Sequence, residues 1–200
     1  MRELAAALVV ISSTATAHPH DQLQGEREPN LAEATMRAQG IADAFEMPLR
    51  SSSTALDNAR AAIRAAGIED CEDGTTRYVM ASDPAWGVSI YRLAVPDQTN
   101  AIFAGGHVRV DLDSYGKATT IHRFGEDCRL IEWNPDDPET GFSVAYLQRS
   151  GADGPSEIDL WLSSRIPFPV GVVTPPYVWP LIGGEVAGRI EADGDMIAGE

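Results

Sequence analysis

The sequence predicts an α+β fold in which two N-terminal helices pack on an antiparallel β-sheet meander. Two observations carry this. Apolar residues recur at helical spacing before Gly67 and at two-residue spacing after it. The strand-like runs then follow one another with only turns between them, which suits antiparallel pairing. Helices that precede strands define the α+β class and are expected on one sheet face.

The first helix is expected over 31–46, "LAEATMRAQGIADAFE". Asn30 with Glu33 three positions on is a capping pattern. Leu31, Ala34, Ala38, Ile41, Ala42 and Phe45 fall on one face, and Gly40 weakens the interior. "PLRSSS" reads as a linker. Ser53 or Thr54 caps the second helix, "ALDNARAAIRAAG", with a stripe of Leu56, Ala59, Ile63 and Ala66 and a stop at Gly67.

The strand candidates are "RYVMAS", "GVSIYRLAV", "AIFAGGHVRVDLD", "KATTIHRF", "FSVAYLQ" and "SEIDLWLSS". After them come Pro167, Pro169, Pro175, Pro176 and Pro180. Proline donates no ladder bond, so this stretch is expected as edge strand and loop, a lid whose Phe168, Tyr177 and Trp179 cover the sheet. The expected organisation is a signal peptide at 1–17, a flexible segment plus first helix at 18–52, one α+β domain at 53–192 and a tail at 193–200.

Two hundred residues suffice for one sizeable core. Thirty Asp and Glu against 15 Lys and Arg leave a net charge of −15. So acidic a surface repels phosphate backbones and anionic bilayers, which argues against a nucleic-acid or membrane-surface partner. The opening "MRELAAALVVISSTATA" has Arg2, an apolar run from Leu4 to Ile11 and a terminal Ala-Thr-Ala, a signal-peptide pattern. That run is far short of the roughly 20 residues that span a bilayer. Cleavage after Ala17 would expose His18, whose amine and imidazole could chelate copper, but nothing else in the chain resembles a copper oxygenase. Cys71 and Cys128 are too few for a zinc knuckle, and in an exported chain they read as one disulfide.

The candidate site begins at "AGGHVRVDLDSYGKATT", residues 104–120. Alternation puts Val108, Val110 and Leu112 on one face and His107, Arg109, Asp111 and Asp113 on the other. "DSYGK" suits a three-residue loop with Gly116 left-handed and a bulge. That loop pairs His107 with Arg123 and sets His122 beside Val108, whereas a two-residue loop pairs His107 with His122. Only paired imidazoles with Asp111 could hold a metal. "DLDSYG" starts like a calcium loop, but Tyr115 and His122 occupy positions that need oxygen ligands. Glu157, Asp159 and Trp161 would line one strand face, a stripe able to contact a sugar. No nucleophile-elbow, zincin, Walker or dinucleotide motif is present.

The order "GGHVRVDLD–GK", Cys128, "EIDLWLSS", and a Trp followed by "GGEVAGRI" resembles a group of uncharacterised exported bacterial proteins. The resemblance spans residues 70–190 and rests on Gly105, Gly106, His107, Arg109, Cys128, Glu157 and Trp179. It implies a secreted α+β domain. Asp159 stands where that pattern has a His, which weakens a metal site there. The Ala-rich helix before strands ending in "DSYGK" is also similar to PepSY-type domains, which implies an inhibitory or interaction module.

The expectation is therefore an exported, periplasmic or extracellular monomer that binds a protein or small ligand, without cofactor, metal or catalysis. The alternative is a metal- or carboxylate-dependent hydrolase built from His107, Asp111, His122, Glu157 and Asp159, with Arg109, Trp161 and Trp179 as further binding residues.

Overall fold

The caps form where the local sequence places them. In the computed structural model, α1 runs from Leu31 to Phe45, and the Asn30 side chain accepts the Glu33 N–H at 3.1 Å. Helix α2 runs from Thr54 to Ala65, with Ser53 as the cap accepting the Leu56 N–H at 3.2 Å. The structure describes residues 29–47, 53–125, 127–134, 136, 144–149 and 151–191. The expected signal peptide at 1–17, the exposed His18 and the tail at 193–200 lie outside the described residues.

Six strands follow: β1 (Gly74–Asp83), β2 (Gly87–Pro96), β3 (Ala101–Phe103), β4 (His107–Leu112), β5 (Ala118–Phe124) and β6 (Leu130–Glu132). Four form an antiparallel sheet in the order β1-β2-β4-β5. The meander is interrupted, because β3 leaves this sheet to pair with β6.

The two helices do not share a face. From α1, Ala34, Ala38, Ile41 and Phe45 pack with Val79, Ala81, Tyr91 and Leu93. From α2, Leu56, Ala59 and Ile63 pack with Ile90, Val108, Val110 and Leu112. Neighbours in a strand point to opposite faces, so Tyr91 and Ile90 place α1 and α2 on opposite sides. The polar side of β4 is therefore covered as well, and His107 is fully buried there.

"SEIDLWLSS" is not a strand. Residues Glu157–Ser163 form helix α3, and all seven are buried. A helix enclosed on every side needs no polar stripe, so its pattern imitates strand alternation. Ser156 and Asp159 supplied the missed signal as a capping box, with reciprocal side-chain-to-backbone hydrogen bonds. Ile158, Leu160 and Leu162 join the main core, each contributing about 1.5–3 kcal/mol by burial.

Helix α3 links the parallel pair β7 (Ala145–Gln148) and β8 (Val170–Thr174). Strands β9 (Tyr177–Ile182), β10 (Glu185–Val186) and β11 (Ile190–Glu191) extend this second sheet. The proline-rich stretch is thus not confined to an edge, since β8 lies between β7 and β9. Pro167 and Pro169 precede β8, while Pro175 and Pro176 form the turn before β9. Pro180 lies within β9, and its carbonyl accepts the Ala187 N–H at 2.8 Å.

Cys71 and Cys128 form a disulfide across a sequence separation of 57. Gly106 sits directly beneath it. Its φ is +78°, and a β-carbon there would lie 2.5 Å from Cys71 Sγ and 2.8 Å from Cys128 Sγ. In the "GG" before His107, Gly106 therefore permits a close approach to the disulfide, and Gly105 one to the Asp127 carbonyl.

Candidate functional site

The β4–β5 loop forms as its residues dictate. The Asp113 N–H donates to the Lys117 carbonyl at 2.9 Å, and Gly116 has φ +76°. The register beyond the loop differs from both expectations. An irregularity next to Asp111 and Leu112 shifts the pairing by one residue. His107 then faces Phe124, and Arg109 faces His122. A one-residue slip moves a side chain to the other face. His122 consequently leaves the α2 side and joins Asp111.

This slip completes a polar chain between α1, the sheet and α3. The Ser89 hydroxyl donates to Asp111 Oδ1 at 2.7 Å, and Arg37 Nη1 donates to that hydroxyl at 3.3 Å. Arg37 also pairs with Glu33 at 2.7 Å. Arg109 Nη1 pairs with Glu157 Oε1, which accepts the Tyr91 hydroxyl at 3.4 Å. Arg109 Nε lies 3.0 Å from Asp111 Oδ1, near enough to pair electrostatically but not aligned as a hydrogen bond. Burial pushes the Asp111 carboxyl up, but the Ser89 hydrogen bond, Arg109 and His122 outweigh it and hold it below the usual range. An ionised Asp111 can only accept, so His122 Nε2 donates to Asp111 Oδ2 at 2.9 Å.

A second ion pair secures the start of α3. Arg149 Nε and Nη2 donate to Asp159 Oδ1 at 2.9 and 2.6 Å, and Nη2 also reaches the Ala104 carbonyl at 2.9 Å. The other Asp159 oxygen takes the Ser156 N–H at 2.9 Å and its hydroxyl at 2.7 Å. Asp159 is fully buried. Both of its oxygens are thus engaged.

His107 stands apart from this network. Its Nδ1 accepts the Ala94 N–H at 3.2 Å, which leaves Nε2 as the donor to the Phe103 carbonyl at 2.9 Å. Both nitrogens of the neutral ring are used. Burial drives its pKa down to about 4, against a partial opposing pull from the Phe103 carbonyl. Unfolded His protonates near pH 6.5, whereas folded His107 resists to about pH 4. Stability should therefore fall as pH drops through that window, by up to about 3 kcal/mol. Urea midpoints between pH 7 and pH 4 measure the fall. A His107 ring resonance titrating near pH 6.5 in the native protein would contradict it.

Trp161 and Trp179 are buried core residues, 4% exposed each. Trp161 packs against Phe45 and edge-on to His107, at centroid distances of 5.4 and 5.9 Å. Trp179 belongs to the second sheet, and its indole donates to Thr174 Oγ1 at 2.8 Å. The expected solvent-facing stripe of Glu157, Asp159 and Trp161 therefore does not form. Glu157 points to Arg109, Asp159 to Arg149 and Trp161 into the core.

Of the candidate residues, the fold joins Arg109, Asp111, His122 and Glu157 in one chain. Asp159, His107 and Trp179 go elsewhere. Sequence reasoning missed Arg37, Ser89, Tyr91 and Arg149. Arg37 left one trace, a charge lying between Ala34 and Ala38 on the apolar stripe of α1, and it is buried. The other three left none, because their partners lie on different elements.

His122 and Asp159 line an open cleft of about 830 Å³ between β5, the end of β7 and the start of α3. Its wall also carries Arg123, Asp127, Gln148 and Arg149. Among the described residues, no group of three or more His, Cys, Asp or Glu is placed to hold a metal ion. Also among them, no helix is long and apolar enough to cross a membrane. The fold and site define an α+β domain with a disulfide, whose two larger sheets flank a helix held by ion pairs. No protein family, curated protein or solved structure matches the chain.

Proposed function

We propose that this chain is an exported binding module that takes a protein segment or a small ligand and performs no chemistry on it. The cleft beside His122 carries this reading. Its deepest charges, Arg149 and Asp159, are committed to each other. Exposed Arg123, Asp127 and Gln148 are left to meet a partner. A preformed cleft with a few convergent polar groups is the usual form of such a site. The disulfide supports export, since cytosolic thiols are kept reduced. The signal-like opening and the resemblance to exported bacterial proteins support it too.

A second reading has one observation in its favour. His122 is oriented by an ionised Asp111 on the wall of the same cleft, the arrangement of a general base. One variant separates the two readings. Against a panel of ester, phosphoester, peptide and glycoside substrates, neither the wild type nor His122→Ala should show turnover. Wild-type hydrolysis reduced about 100-fold or more by His122→Ala would replace the binding module with a hydrolase. Export is tested by the mature N-terminus: recovery outside the cytoplasm beginning at His18 is expected, and recovery inside it with Met1 retained would refute export.

A further inference from the structure

At the other end of α3, Trp161, Leu162 and the following Arg165 line a pocket of about 300 Å³ with Phe45, Ile102 and Phe103. We propose that this pocket binds a small carboxylate with an aromatic or short aliphatic body, and that Arg165 receives the carboxylate.

The walls and the head differ in chemistry. Phe45, Ala94, Ile102, Phe103, Trp161 and Leu162 are all buried and make one side apolar. The volume equals that of about ten waters, room for a single ring with a short arm. Arg165 lies at the exposed mouth, its guanidinium 4.5 Å from the Phe45 ring centroid and 5.3 Å from that of Trp161. Cation–π contact with both rings holds the guanidinium at the mouth, where its N–H groups can meet an acceptor. Among the described residues, no carboxylate lies within ion-pair distance of Arg165.

A second guanidinium lies close to Arg165, although the chain's net charge is −15. Arg77 also lies over Phe45, at 4.0 Å, so two guanidiniums share one ring. Burial lowers the Arg165 pKa, Glu46 partly offsets this, and Arg77 adds to it. An entering carboxylate would offset the desolvation of the guanidinium with charge-assisted hydrogen bonds. Asp97, Gln98 and Thr99 complete the rim; all are exposed, so water screens Asp97 while the other two offer hydrogen bonds. This site is separate from the His122 cleft and does not depend on its role.

The test uses the full chain, with 3-phenylpropionate as probe and its primary amide as the uncharged control. The acid should move the Trp161 indole resonance saturably at millimolar concentration. The amide should bind about tenfold more weakly or worse, and Arg165→Gln should weaken the acid by a similar factor, the loss of a charge-assisted hydrogen bond. Arg165 is exposed, so this variant should fold, and the amide comparison needs no variant. Equal binding of acid and amide, undiminished binding by Arg165→Gln, no shift at Trp161, or shifts confined to the His122 cleft would each overturn the proposal.

Discussion

Replacing Asp159 by Ala is expected to lower stability by roughly 4 kcal/mol. Removing one partner of a buried ion pair leaves the other charge uncompensated, which costs about 3–5 kcal/mol. Asp159 is fully buried, and Arg149 is 11% exposed at its side chain. The same substitution removes the carboxylate half of the α3 capping box, worth about 1 kcal/mol. The urea midpoint should fall sharply with an unchanged slope. Arg149→Ala combined with Asp159→Ala should cost less than the two single changes added together. A loss below about 1 kcal/mol for Asp159→Ala would mean that the pair does not hold α3.

Removal of the disulfide by Cys71→Ala with Cys128→Ala should cost a similar amount, about 4 kcal/mol. In the chain-entropy view, a bridge across 57 residues restricts the unfolded ensemble to that extent. Gly106 gives an internal check. Gly106→Ala in the native protein meets both the positive φ and the two sulfurs. In the disulfide-free variant the sulfurs are gone and only the backbone cost of about 1–2 kcal/mol remains. Gly106→Ala should therefore be more damaging with the bridge than without it. Equal costs in the two backgrounds would show that the sulfurs do not press on this position.

The two helices near the N-terminus were legible because their signals are local. Asn30 and Glu33, Ser53 and Leu56, and the spacing of the apolar residues act within a few positions of chain. The Asp113–Lys117 loop was legible for the same reason, since Gly116 and the Asp113 side chain set it. Helix α3 was misread because enclosure on all sides removes the polar face that distinguishes a helix from a strand. Its capping box was the one local cue.

The candidate site was legible only as a set of residue types. The alternation of β4 put Arg109 and Asp111 on one face, whereas His122 reached Asp111 only through a bulge and Glu157 only through the packing of α3. Thr119 Oγ1 donates to the Asp111 carbonyl at 3.0 Å beside that irregularity. No pattern in "KATTIHRF" announces it. Arg149 and Tyr91 reach their carboxylates across sequence separations of 10 and 66.

By itself, the sequence determined the α+β class, the Asn30 cap, the start of the second helix at Ser53 or Thr54, the strand alternation of β4 and the form of its loop. Each follows from hydrogen bonds and side-chain periodicity inside one short segment. Only the tertiary structure decided that α1 and α2 lie on opposite faces. It alone made α3 a helix, neutralised His107 inside the core and turned His122 toward Asp111. These depend on which surfaces bury one another. A buried charge or imidazole must be matched by whatever partner the packing brings within reach, however distant in the chain.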